Sequence, residues 1–260
     1  MNLSFPINYA PPKDWARWFL EENFPRTLLN YRIFRKVGFE PEIALLPMLC
    51  DPKKASLDIG ANIGVFTWHL LKHSRSILAF EPNPRLCNLL LRTFGSSIDI
   101  HQIALSNLRG SSKLSFPGNS HALGSLHTVQ GHLPGGEDDH LTNFTVKTRP
   151  LDDLGMPPIG FIKIDVEGHE LNVLKGAQQT ILRNRPMLLI EIEERHSPEA
   201  LKSAEEMLAG WGYAGRFLLD NTLLPLSNFD PARHQNSNNI DHNGQRLGPY
   251  INNFIFSPEA

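Results

Sequence analysis

A short apolar run, Ser56-Leu57-Asp58-Ile59, breaks into a turn punctuated by Gly60 and Gly64, and an apolar helical pattern starts at Val65. One helix further on, a second apolar run, Leu78-Ala79-Phe80, ends in Glu81 and is followed by Pro82-Asn83-Pro84. Strand, glycine turn, helix, and strand ending in an acid is the plan of a βαβ nucleotide site. The match to the dinucleotide fingerprint is imperfect, because the turn reads D-x-G-x-N-x-G with Asn62 where a glycine is required. A pyrophosphate asks for a glycine-rich turn and a free helix N-terminus. An acid beside the turn suits a cationic ligand instead, one carrying a sulfonium and an amino group.

Further segments extend the pattern. They are Ala104-Leu105-Ser106, PLDDL at Pro150 to Leu154, IKIDVEGHELNVLKGA at Ile162 to Ala177, and LLIEI at Leu188 to Ile192. With LDIGANIGVFT and FEPNP, they resemble the FkbM family of S-adenosylmethionine-dependent methyltransferases, from about residue 55 to about residue 195. The resemblance implies S-adenosyl-L-methionine as methyl donor and a Rossmann-like class I methyltransferase fold. Oxygen as the acceptor atom, on a sugar or natural-product hydroxyl, is also implied by the resemblance and not by spacing.

A chain of 260 residues fits one large α/β domain, or one domain with extensions, and can bury a sizeable core. The expected division is an N-terminal helical cap at 1–50 and a methyltransferase domain at 51–260 with an insertion at about 106–149. The balance of 25 basic against 27 acidic residues gives no support for a nucleic-acid-binding surface. Two cysteines, Cys50 and Cys87, make no metal-type spacing and no disulfide framework, and Cys87 reads as a small buried hydrophobe. The N-terminal stretch lacks a basic n-region and a long apolar h-region, and no apolar run reaches about 18 residues. A cytoplasmic protein without a membrane segment is expected, acting on a small-molecule acceptor. Nothing fixes an oligomeric state.

Strands are expected near 55–59, 76–80, 98–103, 160–165, 187–192, 213–220 and 250–256. Helices are expected near 63–73, 83–94, 169–183 and 198–211. This alternation implies a mostly parallel seven-stranded sheet with helices on both faces. In the first fifty residues Trp15, Trp18, Phe19, Phe24 and Leu28 recur at roughly helical spacing, and Glu40 to Leu49 reads as a short helix. That segment either caps the sheet or covers the acceptor pocket. The stretch 106–149 breaks the rhythm and reads as a β-hairpin insertion with a long loop. A second loop-rich stretch runs from Asn228 to Pro249.

Asp58, Gly60, Asn62 and Gly64 fall at the end of the first strand, and Glu81 and Asn83 at the end of the second, where ligands of open α/β sheets bind. Ala104 and Ser106 follow the third strand, where an adenine ring lies. Gly60 removes a Cβ where the ligand passes, and Gly64 brings helix and strand together. Glu81 can accept two hydrogen bonds from a ribose diol. Asp58 either faces the amino group or caps the turn. Asn62 is the side chain that best substitutes for glycine in left-handed backbone.

Phe161 to Glu170 forms the second hot region. Alternation puts Lys163 and Asp165 on one face of a central strand, an expensive arrangement unless paired or functional. Asp165, Glu167 and His169 are the candidate catalytic residues. His169 is either a base or a helix N-terminal residue with no chemical role. Glu191 and Glu193 end the next strand, and Asp165, Glu167 and Glu191 form an alternative Mg²⁺ set, although no metal requirement is expected. Of His121, His127, His132 and His140 in the insertion, no pair has zinc spacing, and His121 or His127 could reach an acceptor. The rivals are an N-methyltransferase acting on a small amine and a cofactor-binding domain without catalysis. An NAD(P) oxidoreductase fits less well, because the second glycine is missing.

Overall fold

The structure is a computed structural model, and it describes residues 23–35, 40–116, 125–127, 142–195, 197–239 and 248–259. Trp15, Trp18, Phe19, His121, His132, His140 and residues 240–247 lie outside the described residues. The described elements, in chain order, are α1 (Pro25–Phe34), a 3₁₀ turn at Pro41–Leu45, α2 (Leu46–Leu49), β1 (Ala55–Ile59), α3 (Val65–Leu70), β2 (Ser76–Phe80) and α4 (Pro84–Phe94). They continue with β3 (Asp99–His101), β4 (Ala104–Leu105), β5 (Gly110–Phe116), β6 (Ser125–His127), β7 (Thr142–Arg149) and β8 (Ile159–Ile164). Last come α5 (Glu170–Gly176), α6 (Gln178–Asn184), β9 (Met187–Glu191), α7 (Ala200–Gly210), β10 (Tyr213–Leu219), β11 (Thr222–Pro225), α8 (Pro231–His234) and β12 (Asn253–Pro258).

The main sheet has eight strands in the order β11-β10-β12-β9-β8-β1-β2-β3. Strands β3, β2, β1, β8 and β9 run parallel, and β12 lies antiparallel between β9 and β10. Chain order reverses between β1 and β8, which makes that crevice the topological switch point.

The strands are buried because both faces are covered. Leu57, Ile59, Ile162, Ile164, Leu188 and Ile190 pack with Val173, Leu174, Ile181, Ala204 and Leu208 of α5, α6 and α7. The alternate residues Ile77, Ala79, Phe161, Leu189 and Ile255 pack with Phe66, Leu70, Leu90 and Phe94 of α3 and α4. Period-two alternation therefore sends Asp58 and Lys163, adjacent in the β1–β8 register, to the face covered by α3.

The structure corrects the expected layout in four places. The main sheet has eight strands, because β10 turns back through Asp220 and Asn221 into β11. Both turn residues are left-handed (φ +48° and +62°), the conformation of a two-residue hairpin turn. The helix expected at 169–183 is two helices that break at Ala177, whose ψ is 4°. The third strand, expected over 98–103, spans only Asp99–His101, and Ala104 and Leu105 pair in parallel with β7 in a second sheet, ordered β4-β7-β5-β6. The stretch read as a hairpin with a loop thus supplies three strands of that sheet. Glu40 to Leu49 is a 3₁₀ turn followed by a short α-helix. Among the described residues no helix is long and apolar enough to cross a membrane.

Candidate active site

The turn after β1 is built from three left-handed residues: Gly60 (φ +82°), Asn62 (φ +50°) and Gly64 (φ +87°). At Gly60 the requirement is also spatial, because a Cβ there would lie 1.8 Å from the carbonyl oxygen of Asp165. The first turn and the end of β8 therefore touch backbone to backbone. At Gly64, which opens α3, a Cβ would lie 2.5 Å from the Phe94 ring. Asn62 takes the left-handed conformation that the sequence position demanded.

Glu81 grips this turn. Its Oε2 accepts the Asn62 N–H at 2.9 Å, and its Oε1 accepts the Asn83 N–H at 2.8 Å. Burial pushes the Glu81 carboxyl up to about 7, although both N–H bonds oppose the shift. Asn83 is the N-cap of α4, where its side chain accepts the Arg85 N–H. Asp58 is fully buried. Its Oδ2 accepts the Thr67 hydroxyl at 2.5 Å, and its Oδ1 is buried without a hydrogen-bond partner. Burial raises the Asp58 pKa, and the Lys163 charge pulls it back.

Across the crevice, Lys163 Nζ lies 2.7 Å from Asp165 Oδ2 and 4.4 Å from the centre of the Phe66 ring. Burial works against the Lys163 charge, but Asp165, Glu40, Asp58 and Glu191 surround it and hold its pKa above the ordinary lysine value. Asp165 follows β8 and is 24% exposed, so it is anchored by Lys163 yet open to solvent. Glu167 is left-handed (φ +49°) and precedes Gly168 (φ +88°), which makes the sharp turn into α5. Burial, then Asp165 and Glu193, push the Glu167 carboxyl up to about 8.

His169 and Ser106 meet each other. The buried ring is the N-cap of α5, with Nε2 2.9 Å from Ser106 Oγ and Nδ1 3.3 Å from the Asn172 amide. Burial lowers its pKa. Ala104 is buried in β4.

Glu40, Tyr250, Asn252 and Asn253 carried no local signal, and they meet the strand-end acids only through tertiary packing. Glu40 Oε2 accepts from Asn253 Nδ2 at 2.7 Å, joining residues 213 positions apart. Glu191 Oε1 accepts from Asn252 Nδ2 at 2.6 Å, and Glu193 Oε2 accepts from both Tyr250 OH and Arg195 Nε. The Glu191 carboxyl lies well above its ordinary value because of burial and then Asp165. Among the described residues no three His, Cys, Asp or Glu side chains converge as a metal centre.

A glycine turn meeting an acid-tipped second strand at the switch point, on a sheet in this order, defines a class I methyltransferase architecture. The Methyltransferase FkbM domain matches residues 58–214, and the chain belongs to that family. It is 29% identical over 177 residues to the hexuronic acid methyltransferase AglP of Haloferax volcanii, covering 65% of this chain and 68% of that protein. It is 26% identical over 159 residues to the 2-O-methyltransferase NoeI of Sinorhizobium fredii, covering 54% of this chain and 64% of that protein. The crystal structure of methyltransferase FkbM from Methylobacillus flagellatus has the same fold, with a TM-score of 0.50 at 18% identity over 79% of this chain and 44% of that one.

Proposed function

We propose that the protein methylates a hydroxyl of a small, hydroxylated acceptor, a sugar or related natural product, with S-adenosylmethionine as donor. The observation that carries the donor half of this reading is the buried Asp58 Oδ1, without a hydrogen-bond partner, beside the Gly60 turn. A buried acceptor atom of this kind calls for a donor from outside the chain, and the amino group of a sulfonium amino acid is one. Glu81 fits the same ligand. Each of its oxygens carries one backbone N–H and keeps acceptor capacity for a ribose diol. Asp58, Gly60, Asn62, Gly64 and Glu81 are the cofactor-holding residues in this reading. Asn83 fixes the helix behind Glu81, and Ala104 and Ser106 flank the adenine end. The name of the relative AglP, a hexuronic acid methyltransferase, favours a sugar acceptor, and that of NoeI, a 2-O-methyltransferase, favours oxygen as the acceptor atom.

When bound, S-adenosylmethionine supplies an electrophilic methyl group that passes to the acceptor oxygen, the carbon–sulfur electron pair returning to sulfur. The chain's own residues supply the rest. Asp165 takes the proton of the acceptor hydroxyl on its carboxylate. Its side chain is 24% exposed, which lets an acceptor reach it. Glu167, held close to neutral by burial, is suited to hydrogen-bond an acceptor hydroxyl. His169 serves as a strut between Ser106 and Asn172. In this reading the N-terminal segment, of which 23–35 and 40–50 are described, caps the domain formed by 51–260, a contact supported by the Glu40–Asn253 bond.

The test is formation of S-adenosylhomocysteine from S-adenosylmethionine with a panel of a hexuronic acid glycoside, a neutral hexose glycoside and a small amine. A methyl ether on one of the glycosides is expected. Turnover with the amine alone would overturn the acceptor assignment. Thermal stabilisation by NADH but not by S-adenosylhomocysteine would overturn the cofactor.

A further inference from the structure

The ammonium of Lys163 lies on the α3-covered face of the sheet, at the switch point. It is 3% exposed, with Asp165 on its own strand, Asp58 beside it on β1 and Glu191 near the end of β9. Glu40 approaches from the N-terminal segment and is tied down by Asn253. The Phe66 ring, at 4.4 Å, closes the remaining side, so the stem has little freedom to swing away. An ion this deeply buried costs stability compared with an apolar side chain of the same volume. A methionine or leucine here would fill the space against Phe66 and Phe161 but leave the acids around it without a counter-charge, so the lysine answers to the carboxylates and not to the packing. The charge is thus poorly explained by packing, while its one short bond, 2.7 Å to Asp165 Oδ2, ends on a carboxylate just beyond the strand end and partly open to solvent.

We infer that Lys163 is the positioning residue of the site: its ammonium, clamped between Phe66 and the strand-end carboxylates, fixes the Asp165 carboxylate in the orientation used for proton removal. This rests on the reading of Asp165 as the base. Lys163 is not a catalytic residue in this scheme, because it touches Asp165 and not the substrate. Three neighbouring acids would repel Asp165 from its place without Lys163, and a carboxylate misplaced by about 1 Å can lose about 10²-fold in rate.

The experiment is a double-mutant cycle on kcat, KM and S-adenosylhomocysteine affinity, using the full chain and the acceptor identified by the panel above. Lys163→Met should cut kcat by about 10²-fold while leaving KM for the acceptor within about threefold, and S-adenosylhomocysteine affinity, which also reads the lost counter-charge beside Asp58, should fall by less than kcat does. Asp165→Asn should cut kcat at least as far. The pair Lys163→Met with Asp165→Asn should turn over no more slowly than Asp165→Asn alone, because the lysine acts only through the aspartate. If Lys163→Met does not fold, Lys163→Arg, which keeps the charge beside Asp58 and Glu191 but moves its centre, takes its place in the cycle, and its kcat should also fall by at least about tenfold. Wild-type kcat in Lys163→Met, or a further tenfold loss in the pair relative to Asp165→Asn, would overturn the inference. Wild-type kcat in Asp165→Asn would instead sink the reading of Asp165 as the base.

Discussion

Glu81 links the cofactor assignment to pH. Its carboxyl, ordinarily at 4.5, is pushed up to about 7 by burial, and the N–H bonds from Asn83 and Asn62 only partly offset this. In the cofactor-free protein the folded state keeps a proton that the unfolded chain has lost. This group's contribution to stability is therefore present in full below about pH 4.5 and lost as pH rises through about 7, a change of roughly 3 kcal/mol. A ribose diol donates both its hydrogen bonds and so requires the ionised carboxylate. S-adenosylhomocysteine should then bind about tenfold more weakly at pH 6 than at pH 8, with roughly half a proton released on binding near pH 7. Isothermal calorimetry in buffers of different ionisation enthalpy reads both quantities. Glu81→Gln keeps the shape but places an amide N–H₂ against a backbone donor and cannot accept from both hydroxyls. It should weaken binding at pH 8 by at least about tenfold and abolish the part of the pH dependence that belongs to this residue. Equal affinity at pH 6 and pH 8 in the wild type, with no proton released, would refute the assignment of Glu81 to the ribose.

Gly60→Ala forces a Cβ to 1.8 Å from the Asp165 carbonyl oxygen at φ +82°, so a loss of roughly 3 kcal/mol or more is expected. A urea midpoint matching the wild type would show that the two backbones can separate. Thr67→Val removes the hydroxyl donor to Asp58 Oδ2 and leaves this buried carboxylate only the Thr67 backbone contact, which should cost about 1–3 kcal/mol by chemical denaturation. An unchanged midpoint would mean that other groups satisfy Asp58. Turnover should survive exhaustive EDTA treatment. Loss of activity restored by Mg²⁺ would give Asp165, Glu167 and Glu191 a metal to hold.

The βαβ unit was legible because its signals are local. β1 and β2 match the expected 55–59 and 76–80, since apolar runs bounded by turns admit few alternatives. Asn62 was readable as a left-handed residue, and Lys163 with Asp165 as neighbours on one face, from conformation and alternation alone. What lay hidden is non-local. Nothing near Glu40 points to Asn253, and nothing in Ser106 points to His169, because tertiary packing makes both bonds. The His169 position shows how a helix-initiating residue next to a catalytic-looking turn can be claimed by the neighbouring sheet. The extra strand β11 was missed for a different reason. Asp220-Asn221 is a hairpin turn in plain view, but the flanking Thr222-Leu223-Leu224-Pro225 is too short to announce a strand by itself.

The central claim is that the Gly60 turn, Glu81 and Asp165 together form one methyl-transfer site. A crystal structure of the protein with S-adenosylhomocysteine tests it most directly. Both ribose hydroxyls are expected within about 3 Å of the Glu81 carboxylate, with the amino group on Asp58 Oδ1 and the sulfur facing Asp165. A ligand bound away from the β1–β8 crevice, or one whose sulfur points away from Asp165, would contradict it.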